Sequence, residues 1–121
     1  MNILVVEDDE LVANLVRLIF EREGHKVTQI ADGGEAQRMI SKQKAPDIVL
    51  LDYMLPNMSG VDLLKEIRKS KTWKDVPVIF LSGRASGADV ETAMKAGASD
   101  YVTKPFGIHD LADRVNKLVE G

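Results

Sequence analysis

The chain has 121 residues, 45% of them hydrophobic and 29% charged, a makeup that calls for one ordinary globular domain over residues 1–121. It has no cysteine, which excludes disulfides, thiolate chemistry and cysteine-based zinc sites. The net charge of −3, without a basic run, argues against direct nucleic-acid binding, and no stretch is long and apolar enough to span a membrane.

The opening Met1-Asn2-Ile3-Leu4-Val5-Val6 runs straight into acids, so it reads as a strand over Ile3–Val6 and not as a signal peptide. The cluster Glu7-Asp8-Asp9-Glu10 leads into a helix with Leu11, Val12, Leu15, Val16, Leu18 and Ile19 at helical spacing, stopped at Gly24. His25–Ile30 reads as an edge strand because polar residues interrupt it. Gly33-Gly34 reads as punctuation before a helix over Glu35–Gln43, with Ala36, Met39 and Ile40 inward. Ile48-Val49-Leu50-Leu51 is apolar without alternation, the mark of a strand buried on both faces.

Ser59-Gly60-Val61-Asp62 has capping-box spacing, with Asp for the usual Glu or Gln, and opens a third helix carrying Val61, Leu64 and Ile67. Lys71–Asp75 reads as a polar loop, with Trp73 as a partly covered surface aromatic, and Val76–Leu81 as the fourth strand. Ser86-Gly87-Ala88-Asp89 repeats the capping spacing ahead of a helix stopped at Gly97. Asp100–Thr103 is a short fifth strand, and Ile108, Leu111, Ala112, Val115, Leu118 and Val119 form an amphipathic last helix. Five β-α units with short connections call for a doubly wound parallel sheet with five helices on its two faces.

In such a sheet the carboxyl ends of the strands share one edge, where open α/β proteins place their ligands. That edge would receive Glu7 and Asp8 from the first strand, Asp52 from the third, Ser82 from the fourth and Lys104 from the fifth. Two carboxylates about 4 Å apart repel by ~4 kcal/mol at an effective dielectric near 20, so the cluster needs a cation or must take up protons. Oxygen ligands without His or Cys suit a hard ion, Mg²⁺ before Zn²⁺ or Cu²⁺. Lys104 would aim a point charge at a phosphate or carboxylate, and Ser82 would offer a hydroxyl. The plainer alternatives are an acidic solvated rim, an exposed lysine and a turn-capping serine.

Val5-Val6-Glu7-Asp8, Pro46-Asp47-Ile48-Val49-Leu50-Leu51-Asp52, Leu55-Pro56-Asn57-Met58-Ser59-Gly60, Leu81-Ser82-Gly83, Gly97-Ala98-Ser99-Asp100-Tyr101 and Lys104-Pro105-Phe106 resemble the motifs of response-regulator receiver domains, in the same order and over essentially the whole chain. The resemblance implies a flavodoxin-like sheet of order 2-1-3-4-5. It also implies a two-component signalling switch in which Asp52 accepts a phosphoryl group from a phosphohistidine of a sensor kinase or phosphotransfer protein. Asp8, Asp52 and the Met54 backbone carbonyl would then ligate Mg²⁺ (or Mn²⁺ in its place), with Glu7 acting through water. Ser82 and Lys104 would bind the phosphoryl oxygens, and Tyr101 would turn inward with Ser82 as a switch. The Lys104-Pro105 bond is expected to be cis, and Arg84, Asp9 and Pro105 would line the rim with Glu10.

The resemblance further implies a cytoplasmic regulator, catalysing only its own phosphorylation and dephosphorylation, whose output face is the fourth helix, fifth strand and last helix. Met54 and Arg84 flank the acceptor. An apolar Met54 offers no hydrogen bond to a hydrolytic water, so a slowly decaying phosphoryl state is expected. Competing readings are an aspartyl-phosphate phosphatase or mutase, poorly matched by Glu7-Asp8-Asp9, and a pure binding module, disfavoured because Asp8, Asp52, Ser82 and Lys104 are all present. A flavin protein of this topology would want a Ser/Thr/Gly-rich phosphate loop after the first strand.

His25 and His109 are isolated and read as non-ligands, and Met39, Met54, Met58 and Met94 as core or loop filler. Leu11, Ala13 or Leu18 would be the partly exposed apolar residues of the first helix, suited to docking on a helical partner. Whether the unit stands alone or belongs to a longer chain, which kinase feeds it, what lies downstream and its oligomeric state are open at this point.

Overall fold

The computed structural model describes residues 1–84 and 86–120. Elements alternate strictly: β1 Asn2–Val6, α1 Glu10–Arg22, β2 Lys26–Ile30, α2 Gly33–Lys42, β3 Ile48–Leu51, α3 Gly60–Lys69, β4 Val78–Ser82, α4 Gly87–Lys95, β5 Asp100–Thr103 and α5 Ile108–Glu120. The five strands form one sheet in the order β2-β1-β3-β4-β5, and each pairing is parallel. This is the doubly wound, flavodoxin-like architecture that the β-α repetition called for.

The unbroken apolar runs follow from having helices on both faces. Leu4, Val6, Val49, Leu51, Val78 and Phe80 point into the layer shared with α2 and α3. Ile3, Val5, Ile48, Leu50, Ile79 and Leu81 point into the layer shared with α1 and α5. Because side chains alternate along a strand, every second residue of a central strand fills the opposite layer, and past the exposed Asn2 at the start of β1 none faces water. β2, on the edge, shows exposed Lys26 and Thr28 beside buried Val27.

Side-chain caps set the helix starts. Asp9 accepts from Leu11 and Val12 N–H, Asp32 from Gly34 and Glu35, Ser59 from Asp62, and Ser86 from Asp89. Gly24 and Gly97 follow α1 and α4 at φ +88° and +111°, the left-handed conformation that ends a helix cheaply only at glycine.

Five sequence expectations are corrected. Gly33-Gly34 does not precede α2 but forms its first turn, because Asp32 is the cap and the helix end presses on the β3–α3 loop. A Cβ on Gly33 would lie 2.2 Å from the Met58 carbonyl oxygen. Trp73 is no surface aromatic: it is 1% exposed and its indole N–H donates to the Gln43 carbonyl at 2.9 Å. Ala13 is buried under α1, leaving Leu11, Leu15 and Leu18 as its exposed apolar residues. The fourth strand begins at Val78, since Val76 is occupied by a turn bond to the Trp73 carbonyl and Pro77 has no N–H. Among the methionines, Met54 and Met94 are exposed rather than packed.

Candidate functional site

Each strand-end residue is held by one further ladder bond past its strand. Glu7 N–H donates to the Ile30 carbonyl at 2.9 Å, Asp52 N–H to Val6 at 2.9 Å, and Lys104 N–H to Ser82 at 2.8 Å. With Val6 paired to Leu51 and Ser82 to Thr103, the register carries Glu7, Asp52, Ser82 and Lys104 to one edge of the sheet. Gly60 closes the β3–α3 loop against that edge. Its N–H donates to the Tyr53 carbonyl at 2.8 Å, and a Cβ there would stand 2.1 Å from the Asp52 carbonyl oxygen.

Glu7, Asp8 and Asp52 each place a carboxylate oxygen within 4.8 Å of the others, Glu7 and Asp52 buried and Asp8 exposed. Lys104 reaches in from β5 and donates to both Glu7 oxygens, at 3.0 and 2.9 Å, while standing 3.6 Å from Asp52 Oδ2. Sequence reasoning placed Lys104 toward the acceptor side but did not foresee this pairing with Glu7. Asp52 Oδ1 accepts the Tyr53 N–H at 2.7 Å.

Burial disfavours charge on Glu7 and Asp52 more than their neighbours favour it. The Glu7 carboxyl is pushed up to about 7 by burial, with the Asp52 charge adding and the Lys104 hydrogen bond opposing. Asp52 is likewise raised by burial, against the fields of Lys104 and the Tyr53 N–H and with that of Asp8 adding. Burial works against the Lys104 charge too, but the Glu7 hydrogen bond and the Asp52 and Glu7 charges outweigh it and hold the ammonium above its ordinary range. The edge therefore carries three acids against one ammonium. An all-oxygen donor set of that excess charge fits a hard divalent cation, which would replace protons as the neutralising charge.

Around this cluster, Ser82 is buried and its Oγ accepts the Arg84 N–H at 3.0 Å, so the turn-capping reading of the serine holds in this form. The Arg84 guanidinium lies 5.3 Å from the Tyr53 ring centroid and 3.5 Å from Asp89. Tyr101 is half-buried, stacks on Phe80 at 5.8 Å, and its hydroxyl donates to the Arg84 carbonyl at 2.6 Å. Lys104-Pro105 is cis. Met54 is 56% exposed beside the site, and Asp9 is at the rim, where it also caps α1. Among residues that the sequence reading passed over, Asp32 accepts a hydrogen bond from the Asn57 side-chain amide. The D-x-x-E spacing of Asp32 and Glu35 is a capping signal that would have revealed its first role.

A doubly wound parallel sheet with acids, a hydroxyl and an ammonium at its carboxyl edge defines an α/β module whose edge is suited to a hard ion and a phosphate. Comparison narrows this further. A family model of the response regulator receiver domain matches residues 3–116. The transcriptional regulatory protein CseB of Streptomyces coelicolor is 42% identical over 118 residues, covering 98% of this chain and 49% of that protein. The receiver domain of Francisella response regulator 1452 superposes with a TM-score of 0.89 at 37% identity, covering 98% and 96% of the two chains. The receiver domain of the sensor histidine kinase PA1611 from Pseudomonas aeruginosa, solved with magnesium coordinated in its active site cleft, gives 0.90 at 32% identity, covering 99% and 98%.

The chain belongs to the response regulator receiver domain family and thus to phosphorylation-dependent two-component signalling. It spans about half the length of the curated relatives it matches. No helix among the described residues is long and apolar enough to cross a membrane.

Proposed function

We propose that this receiver domain takes a phosphoryl group from a phosphohistidine of a sensor kinase or phosphotransfer protein onto Asp52, in a reaction that requires Mg²⁺ or Mn²⁺. The observation that carries the reading is the meeting of Glu7, Asp8 and Asp52 oxygens within 4.8 Å, with the Lys104 ammonium among them. Asp8 and Asp52, with the Met54 carbonyl, would hold the ion directly and Glu7 would hold it through water. When bound, the ion supplies positive charge to the phosphoryl oxygens and neutralises the acids.

The residues of this chain then have defined tasks. An Asp52 carboxylate oxygen attacks phosphorus in line, the phosphorus–nitrogen bond of the donor breaks, and the electron pair leaves with the imidazole. Lys104 leaves its place between Glu7 and Asp52 to neutralise a new phosphoryl oxygen, and Ser82 donates its hydroxyl to another. Turning Ser82 toward the phosphoryl group withdraws the acceptor of the Arg84 N–H. Tyr101, held by the Arg84 carbonyl, is then free to change place, with the α4–β5–α5 face as the output surface.

Moving such a two-state element from 1:99 to 99:1 needs ~5.5 kcal/mol of differential binding. A charge-assisted hydrogen bond supplies about 1.5–3 kcal/mol of this, so Lys104 and Ser82 together account for much of it. Incubation with acetyl phosphate or a phosphorylated phosphotransfer protein, followed by intact-mass measurement, tests the assignment. One phosphoryl adduct on the wild type, absent without Mg²⁺ and absent in Asp52→Asn, is the expected result. An adduct that persists in Asp52→Asn would place the acceptor elsewhere.

A further inference from the structure

We infer that Asp32, at the start of α2, is a positioning residue for the divalent ion: through Asn57 it fixes the β3–α3 loop that presents the Met54 carbonyl. The inference rests on the ion site proposed around Asp52.

Tyr53–Ser59 crosses the edge of the sheet with Tyr53, Leu55 and Met58 packed against the core below it. Met54, Pro56 and Asn57 are exposed, and Tyr53, Leu55, Met58 and Ser59 are half-buried. The exposed stretch around Met54 is held in addition by ties at the loop's two flanks. On the α3 flank, Gly60 seats on the Asp52 carbonyl and bonds the Tyr53 carbonyl. On the α2 flank, Gly33 N–H donates to the Pro56 carbonyl at 3.0 Å, and the Asn57 amide donates to Asp32 Oδ2.

Asp32 divides its carboxylate between two tasks. Oδ1 accepts the N–H groups of Gly34 at 2.7 Å and Glu35 at 3.1 Å, which anchors the carboxylate to a helix, while Oδ2 holds the loop. Asn57 sits at φ +66°, a left-handed backbone that Asn tolerates and that presents its amide to α2. The tie is thus charge-assisted at the Asp32 end and conformationally fixed at the Asn57 end. Met54 lies three residues before Asn57, between the two flanks. Mg²⁺ demands near-octahedral placement of its oxygens, and groups that orient ligands from outside typically contribute 10–100-fold in affinity. Without the Asp32–Asn57 tie, the α2 flank keeps only the Gly33–Pro56 bond to steady the exposed Met54 carbonyl.

Two variants cut the tie without removing the helix cap or the backbone preference. Asp32→Ser keeps a capping hydroxyl but is too short to reach Asn57. Asn57→Gly keeps access to positive φ but has no amide. Each is expected to bind Mg²⁺ about tenfold more weakly by calorimetry, with faster amide exchange at Met54–Met58 in the metal-free form. The double variant should bind no more weakly than either single one, since both remove the same tie. The exchange Asp32→Asn with Asn57→Asp, which preserves the net charge of the pair, should restore most of the affinity. Wild-type Mg²⁺ affinity in both single variants, alongside faster loop exchange, would make the tie structural only and overturn the inference. A wild type that binds no Mg²⁺ would instead overturn the ion site beneath it.

Discussion

The two edges of the sheet use charge in opposite ways. At the amino-terminal edge, donors and acceptors are matched. The Arg68 guanidinium donates to the carbonyls of Gly97 at 2.7 and 3.0 Å, Val76 at 2.7 Å and Lys74 at 3.0 Å. Trp73 is buried in the core with its N–H satisfied by Gln43, and Asp47 accepts the Asn2 N–H at 2.6 Å. At the carboxyl edge, Glu7, Asp8 and Asp52 share one ammonium, and burial raises two of the three acids. One edge is neutralised by its own contacts; the other leaves three acids to share one ammonium, the excess that the proposed ion site would use. The difference shows why a fold can be firm while its site remains poised, since strain at one edge is offset by satisfied contacts at the other.

The largest effect should come from the firm edge. Trp73→Ala is expected to lower unfolding free energy by about 3–5 kcal/mol in urea melts, the range for emptying a buried large aromatic position. The Mg²⁺ affinity of the fraction that remains folded should be unchanged. Arg68→Ala follows at about 2–3 kcal/mol, because it strips charged donors from carbonyls near the bottoms of β4 and β5. A loss below 0.5 kcal/mol for Arg68→Ala would mean that water replaces it freely and the edges are not so different.

At the carboxyl edge the sign reverses. Without a divalent ion, Asp52→Asn should stabilise the chain by about 0.5–2 kcal/mol at neutral pH, as removal of a functional charge commonly does, while abolishing the phosphoryl adduct. The pH dependence follows the same cause. Glu7 titrates near 7 when folded against an ordinary 4.5, so the folded state binds the extra proton between those values. Metal-free stability should therefore fall as pH rises from about 4.5 to about 7 and level off above, with Asp52 acting in the same direction. Saturating Mg²⁺ should remove that decline, read as melting temperature against pH with and without the ion. The smallest effect belongs to α1. Leu11, 81% exposed, should tolerate Leu11→Ala within about 0.5 kcal/mol, so any larger loss in phosphotransfer from a kinase would report docking and not folding.

The fold was legible to the degree that apolar runs are. Ile48–Leu51 and Asp100–Thr103 end in the structure where the residue pattern ends, and Ser59 and Ser86 cap as their spacing indicated. What escaped was tertiary. Gly33 and Gly34 look like a break until α2 is seen pressed on Met58, where a side chain at Gly33 would not fit. Trp73 lies among lysines in sequence, and only the fold turns it inward.

In the site, the convergence of Glu7, Asp8, Asp52, Ser82 and Lys104 could be read from strand ends alone, because the parallel sheet dictates it. The direct Lys104–Glu7 contact and the Asp32–Asn57 tie could not. Each joins positions far apart in the chain through side-chain geometry that no periodicity records.

The most direct measurement of the central claim is fluorine NMR of the chain titrated with beryllofluoride, in the presence and absence of Mg²⁺. The account predicts bound-fluoride signals only when Mg²⁺ is present, with none in Asp52→Asn and a weakened complex in Lys104→Ala. Bound signals of equal intensity without Mg²⁺, or in Asp52→Asn, would contradict a site in which these acids gather round an ion and leave Asp52 to accept the phosphoryl group.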